Sequence, residues 1–166
     1  MIRLAKLSLD EKHRYYLFRR FDDGPILAWV MLNPSSADAE NDDPTIRRCI
    51  SFAKREGYGA IEVYNLFTQR TSDPSEVDYE NINEEDQRNQ FNEMMFTQAK
   101  SIVVAWGNVA KKNMQKSEMA RALSGNTNLL CLGTTKSGQP RHPLYVRADQ
   151  PFEQYAFPIE MNYANA

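Results

Sequence analysis

The chain has 166 residues, 42% of them in the hydrophobic set and 25% charged, with a formal net charge of −2. That size suits one globular domain with a sizeable core, and no apolar run approaches the roughly 20 residues of a membrane span. The opening MIRLAKLSLDEK turns charged too soon for a secretory signal, so the expectation is one cytoplasmic domain over 1–166 with no membrane partner.

Residues 14–21, RYYLFRRF, are rich in aromatics, and Asp22-Asp23-Gly24-Pro25 supplies turn chemistry before the next apolar run. This pattern predicts an N-terminal β-hairpin leading into 26–32, ILAWVML, whose unbroken apolar character fits a strand buried on both faces. Asp43-Pro44 reads as a helix start, because Asp accepts from free amide groups and Pro loses nothing at the first helical position. Ile46, Cys49, Ile50 and Ala53 follow at helical spacing and Gly57 suits a stop, so a helix is predicted over about 44–56.

AIEVYNLF, 60–67, returns to strand character, and a second helix is predicted near 84–98 with Phe91, Met94 and Met95 on one face. SIVVAW, 101–106, reads as another buried strand, 108–123 as a third helix and NLLCL, 128–132, as a final strand. From Gly133 onward Gly and Pro punctuate an irregular segment. The alternation of strand and helix predicts right-handed crossovers and a mainly parallel sheet covered on both faces.

The net charge hides an uneven distribution. Segment 72–99 holds eight acidic residues and one basic, for −7, while 100–147 holds eight basic and one acidic, for +7. The later segment can present a basic surface that draws in phosphate; the plainer alternative is charge scattered over solvated faces. Cys49 and Cys131 lie far apart and lack metal-ligand spacing to His13 or His142, so neither a disulfide, a metal nor a cofactor is expected. Gly133-Thr134-Thr135-Lys136-Ser137-Gly138 lacks the order of a phosphate loop, which sets a nucleoside-triphosphate kinase aside. Asp42-Asp43 is read as a cap with a solvated neighbour rather than a cation site.

Four short signatures fall where predicted strands end: Asn33-Pro34-Ser35-Ser36, Tyr64-Asn65-Leu66-Phe67, Trp106-Gly107 and Arg141-His142-Pro143-Leu144. Ligands of open α/β sheets bind beyond the carboxyl ends of the strands, where residues distant in sequence face one cavity. Asn33 can hold a water through its amide oxygen but cannot ionise; its plain alternative is an Asn-Pro turn. Asn65, unfavourable within a strand, carries a paired donor and acceptor matching the O4 and N3–H edge of a pyrimidine, or else caps a neighbouring loop. Trp106-Gly107 offers close backbone approach, or simply a core tryptophan before a turn. His142 could donate to a carbonyl oxygen on which negative charge develops, or be an ordinary satisfied histidine.

At these residues, through MLNPSSADAENDDPTIRRC, VYNLF, AWG and GQPRHPLY, the chain is identified as a member of the domain of unknown function 1643 family, found among phage and bacterial proteins. More distantly it resembles the uracil-DNA glycosylase superfamily. That resemblance implies a three-layer α/β/α sandwich around a short, mainly parallel sheet. It implies that Leu32-Asn33-Pro34 matches the Asn-Pro form of the first motif, that Asn65 is the base-reading Asn, and that Trp106-Gly107 and His142-Pro143 are the later motifs. Ser35 stands where strict uracil enzymes carry a bulky Tyr, which suggests a more open pocket. Leu144-Tyr145 follow at once where Ser and a DNA-wedging residue are usual. The stacking aromatic has three candidates, Phe52, Tyr58 and Phe67.

The resulting expectation is a nucleobase-recognising protein that acts on nucleic acid or a nucleotide, a candidate hydrolase of an N-glycosidic bond. Asn33 and His142 would be catalytic; Pro34, Ser35, Asn65, Trp106 and Gly107 would hold the base; Lys136, Arg141, Tyr145 and Arg147 would contact a nucleic-acid backbone. A non-catalytic binding module for a modified base, nucleotide or nucleic-acid end is the alternative, and a scaffold that merely reuses the fold is a third.

Overall fold

A computed structural model describes residues 1–158. The strands β1 (Ile2–Leu7), β2 (Arg14–Arg20), β3 (Ile26–Met31), β4 (Ala60–Asn65), β5 (Ser101–Val104), β6 (Leu129–Cys131) and β7 (Glu153–Gln154) form one sheet of order β1-β2-β4-β3-β5-β6-β7. The centre, β4-β3-β5-β6, is parallel. The expected mainly parallel sheet is corrected to a mixed one, because β1–β2, β2–β4 and β6–β7 pair antiparallel and so balance the three parallel pairs. Parallel neighbours need a long crossover, usually a helix, whereas the flanking strands meet no such requirement.

The hairpin expected between 14–21 and 26–32 is also corrected, since β4 lies between those strands: Leu17 faces Val63 on one side, and Val30 faces Tyr64 on the other. The turn at 22–25 wraps the start of β4 instead of closing β2 onto β3. Phe21 and Asp22 both donate to Gly59 O, and Gly59 N donates to Pro25 O. A Cβ on Gly59 would stand 2.5 Å from the carbonyls of Asp22 and Asp23, so this approach requires glycine. The N-terminal hairpin is made instead by β1 and β2.

The helix α1 (Pro44–Arg55) begins as its sequence predicts, with Asp43 accepting from Ile46 N and Pro44 in the first turn, and ends before Gly57 at φ 83°. Its Ile46, Cys49, Ile50, Phe52 and Ala53 pack on one face of the sheet with Leu27, Trp29, Ile61 and Val103. The helices α2 (Glu84–Met95) and α4 (Glu118–Leu123) contribute Met94, Met119, Ala120 and Leu123 to the opposite face, with Val30, Tyr64 and Val104.

On α2 the inward residues are Gln87, Gln90 and Met94, while Met95 is exposed, because polar contacts and not apolar spacing decide the helix's rotation. Gln90 bonds both backbone groups of Asn65, its Nε2 to the carbonyl at 2.6 Å and its Oε1 to the amide at 2.9 Å. The continuous helix expected over 108–123 is broken into α3 (Lys111–Met114) and α4. Buried Ser117 intervenes, donating to Leu66 O at 2.8 Å while capping α4 through Ala120 N. No helix among the described residues is long and apolar enough to cross a membrane.

Candidate functional site

A cavity of about 670 Å³ opens at the carboxyl ends of the parallel strands, a volume in the range of small-molecule pockets. Asn33, Pro34, Ser35, Asn65, Trp106, Gly107, Arg141, His142 and Tyr145 all line it, whereas Lys136 and Arg147 do not. The parallel order of β4, β3 and β5 makes this convergence possible, since each strand delivers its next residues to the same end of the sheet.

The Asn33 Nδ2 donates to Pro34 O at 3.0 Å, Gln69 O at 3.3 Å and Thr71 O at 3.0 Å. No donor among the described residues reaches its Oδ1, so the amide is oriented with one acceptor to spare. The adjacent loop is fastened by Arg70, which donates to Ser35 O at 3.3 Å, Ser36 O at 3.1 Å and Glu11 O at 2.9 Å. Ser35 Oγ bonds Ser72 Oγ at 3.2 Å.

The inner wall contains two residues that the sequence signatures did not single out. Arg14, 2% exposed, donates through Nη1 to Ala37 O at 3.0 Å and through Nη2 to Asn65 Oδ1 at 3.4 Å. Asp43, 7% exposed, accepts from Ile46 N at 2.9 Å and Ala37 N at 3.3 Å. Both line the cavity. Burial pushes the Arg14 guanidinium down to about 10, against the attraction of the Asp43 carboxylate, so it stays charged at neutral pH. Arg14 Nε and Asn65 Nδ2 are buried without a hydrogen-bond partner among the described residues. Such orphaned donors are costly in a folded protein, about 1–3 kcal/mol each.

His142 caps a short 3-10 turn, Pro143–Tyr145, with its Nδ1 accepting from Leu144 N at 3.2 Å. An accepting Nδ1 carries no proton, so the neutral ring bears its hydrogen on Nε2. Burial pushes its pKa below the usual 6.5, opposed by the Asp43 carboxylate. The turn is held by Arg48 of α1, whose Nε donates to Pro143 O at 3.0 Å and whose Nη2 donates to Val146 O. Helical spacing reveals the inward face of α1 but gives no sign that Arg48, on its flank, reaches a segment almost a hundred residues away.

The Trp106 ring is core: its Nε1 donates to Gln139 Oε1 at 2.9 Å and its ring meets Tyr155 and Phe157 at 5.8 and 5.7 Å. Gly107 is required by its φ of 73°, not by crowding, for a Cβ there would meet nothing within 4 Å. Of the three stacking candidates, Phe52 packs against Trp29 and Phe67 against Tyr79, while Tyr58 lines a smaller hollow beside Phe21. Among the described residues, Trp106 and Tyr145 line the main cavity; Trp106 is buried, whereas Tyr145 is 77% exposed, its ring 5.5 Å from that of His142.

On the rim, Arg141 donates to Tyr145 O at 2.9 Å. Lys136 is exposed and Arg147 is paired with Asp149 at 3.1 Å, and neither lines the cavity. Cys49 and Cys131 are free and buried, and no group of metal-ligating side chains occurs among the described residues. A family model described as "Protein of unknown function (DUF1643)" matches residues 14–144. No curated protein and no solved structure matches the chain.

Proposed function

We propose, for a chain that belongs to the DUF1643 family of proteins of unknown function, that the cavity recognises a nucleobase and that the protein hydrolyses an N-glycosidic bond of an unusual or modified base. The reading takes the helices on both faces of the sheet as a uracil-DNA-glycosylase-like three-layer α/β/α arrangement. One observation carries it: Asn33, Asn65 and His142, separated by up to 109 residues, line a single cavity at the carboxyl ends of the parallel strands.

Asn65 holds the edge of the base, and the Nε2–H of neutral His142 donates to an oxygen on which negative charge accumulates as the bond to the sugar breaks. Asn33 Oδ1 orients a water toward C1′. The C1′–N bond breaks with oxocarbenium character on the sugar, the water oxygen bonds C1′, and its proton leaves to the base or to solvent. Asn33 cannot act as a base, which forgoes about 10²–10⁴-fold of general-base catalysis and predicts slow turnover. A base within a duplex would first have to be extruded, at a cost of a few kcal/mol.

The test is incubation, with protein in excess, with single- and double-stranded oligonucleotides carrying uracil, hypoxanthine and modified pyrimidines, scoring free base by mass spectrometry. Release that His142→Ala abolishes supports the hydrolase. The absence of a carboxylate at position 33 favours a second reading, a binding module for a modified base, nucleotide or nucleic-acid end. That reading predicts that His142→Ala changes affinity while no base is released by either protein.

A further inference from the structure

We infer that the edge strand β1 is a self-association surface: two copies of this chain pair antiparallel along β1 and join their sheets into one across a two-fold axis. The inference stands apart from the ligand reading, since β1 lines no part of the cavity.

The two edges of the sheet are built differently. β7 is two residues long, Glu153 and Gln154, both polar and exposed, which keeps an edge from recruiting another strand. β1 runs from Ile2 to Leu7 without a proline, and no strand among the described residues pairs with its outer row of main-chain donors and acceptors. Its two cations are engaged within the chain. Lys6 Nζ lies 2.7 Å from Glu93 Oε1, while Arg3 Nη1 donates to Glu40 O at 3.0 Å and lies 3.5 Å from Asp42 Oδ2.

The apolar side chains of this edge share one face. Lys6 stands opposite Tyr16 and Leu4 opposite Phe18, on the side of the sheet covered by α2, where Tyr16 packs on the core and Lys6 meets Glu93. Alternation along the strand puts Ile2 on that side as well. The helix does not cover them, for Ile2 is 54% exposed and Leu4 52%. Phe96, three residues beyond Glu93 and so on the same side of α2, is 84% exposed. Apolar groups gathered along an open strand edge mark an interaction surface.

A second copy fits this surface because the edge is complementary to itself. With Leu4 on the axis, Leu4 faces the partner's Leu4, Ile2 faces the partner's Lys6, and Arg3 faces the partner's Ala5. No like charges meet in that register. Placing Arg3 on the axis would oppose two guanidiniums, and placing Ala5 there would carry the pairing across the irregularity between Lys6 and Leu7. The axis stands perpendicular to the joined sheet, so Ile2 and Leu4 of both copies form one row between the two α2 helices. The surface covered is on the order of 600 Å² per partner, the lower end of specific interfaces, and a dimer of micromolar affinity is expected. The same axis reverses the strands of the second copy. The two cavities therefore open at opposite ends of the sheet and act independently.

Sedimentation equilibrium at increasing protein concentration is expected to show a reversible monomer–dimer equilibrium. Leu4→Lys sets two ammonium groups against each other on the axis and is expected to raise the dissociation constant by about a hundredfold or more. The fold, followed by circular dichroism, is expected to survive, since Leu4 is half exposed. Cross-linking reads the register. Residues directly opposite in an antiparallel pair lie about 4.5–5.5 Å apart between Cα atoms, a spacing that a disulfide spans. With oxidised glutathione as oxidant, Leu4→Cys is expected to form a covalent dimer, whereas Leu9→Cys, fully exposed outside the strand, is not. The native Cys49 and Cys131 are buried and do not compete. If Leu4→Lys does not fold, the comparison of the two cysteine variants decides alone. A wild type that stays monomeric at every concentration, undiminished association of a folded Leu4→Lys, or equal cross-linking of Leu4→Cys and Leu9→Cys overturns the inference.

Discussion

The cavity has two walls of different construction. The inner wall, built from β2, β4 and the start of α1, is buried, and its residues are each held at more than one point, with Arg14 Nε and Asn65 Nδ2 left over: Arg14 bonds Ala37 and Asn65, Asp43 two amides, and Asn65 bonds Gln90 through both backbone groups. The outer wall is the segment after β6, where His142 and Tyr145 stand on a single 3-10 turn held from below by Arg48. A group that reads a ligand edge benefits from rigid support, because a small displacement changes which atoms meet. A segment that admits and releases a ligand benefits from shallow attachment. The division suggests that selectivity resides in the inner wall and access in the outer one.

The sharpest way to break this comparison is to damage the inner wall where its elements meet. Asp43→Ala removes the cap of α1 and strands Ala37 N, and is expected to cost about 2–4 kcal/mol in chemical denaturation. Asp43→Asn keeps a capping oxygen and should cost less. Without the Asp43 charge, the His142 pKa falls further, readable from its ring shifts in an NMR titration. An Asp43→Ala loss no larger than that of an exposed residue would mean that the inner wall is not the rigid one.

How far each wall could be read from sequence differs for a physical reason. Asn33, Asn65 and His142 are legible as neighbours because each stands at or beyond the end of a parallel strand, and those ends share one side of a sheet. Arg14 is illegible on the same logic, for it begins its strand. It reaches the site only because β2 runs antiparallel to β4, and the turn residues at 22–25 suggest a pairing with β3 instead. Local patterning carries no information about which strand intercalates. The same limit hides the split of the 108–123 helix, whose break is set by Ser117 reaching Leu66, and the use of Gln90 in place of a strand partner. The residues that meet at the cavity's rim are therefore largely readable, and its buried backing is not.

On the outer wall, Arg48→Ala should cost about 1–2 kcal/mol, near the lower end for charged hydrogen bonds because the contact is half-buried. Its signature is local. Amide exchange should accelerate at Leu144–Arg147 and stay unchanged in β3 and β4, whereas uniform acceleration would show the two walls to be one cooperative unit.

A smaller effect follows from pH. The folded protein holds the His142 pKa below its unfolded value of 6.5, so the unfolded chain takes up the proton first. The stability this neutral ring contributes is complete above pH 6.5 and is lost as pH falls through 6.5 toward the folded value. Protonation also ends the acceptance from Leu144 N. His142→Asn, which can still cap the turn, should remove this part of the acid sensitivity in denaturation measured from pH 8 to pH 5.

The smallest expected change in the folded protein comes from two basic residues that do not line the cavity. Lys136→Ala and Arg147→Ala should each alter stability by less than about 0.5 kcal/mol, since Lys136 is exposed and the Arg147–Asp149 pair is open to solvent. Their value lies in the salt dependence of binding. If the ligand is a base within a strand, each phosphate that a substitution leaves unneutralised should reduce the slope of log affinity against log salt by about 0.7–0.9. If the cavity takes a free base or nucleoside, the slope is near zero already and neither substitution moves it. A single-stranded oligonucleotide and the matching nucleoside, titrated at three salt concentrations, therefore decide whether the rim belongs to the site or whether the inner wall alone recognises the ligand.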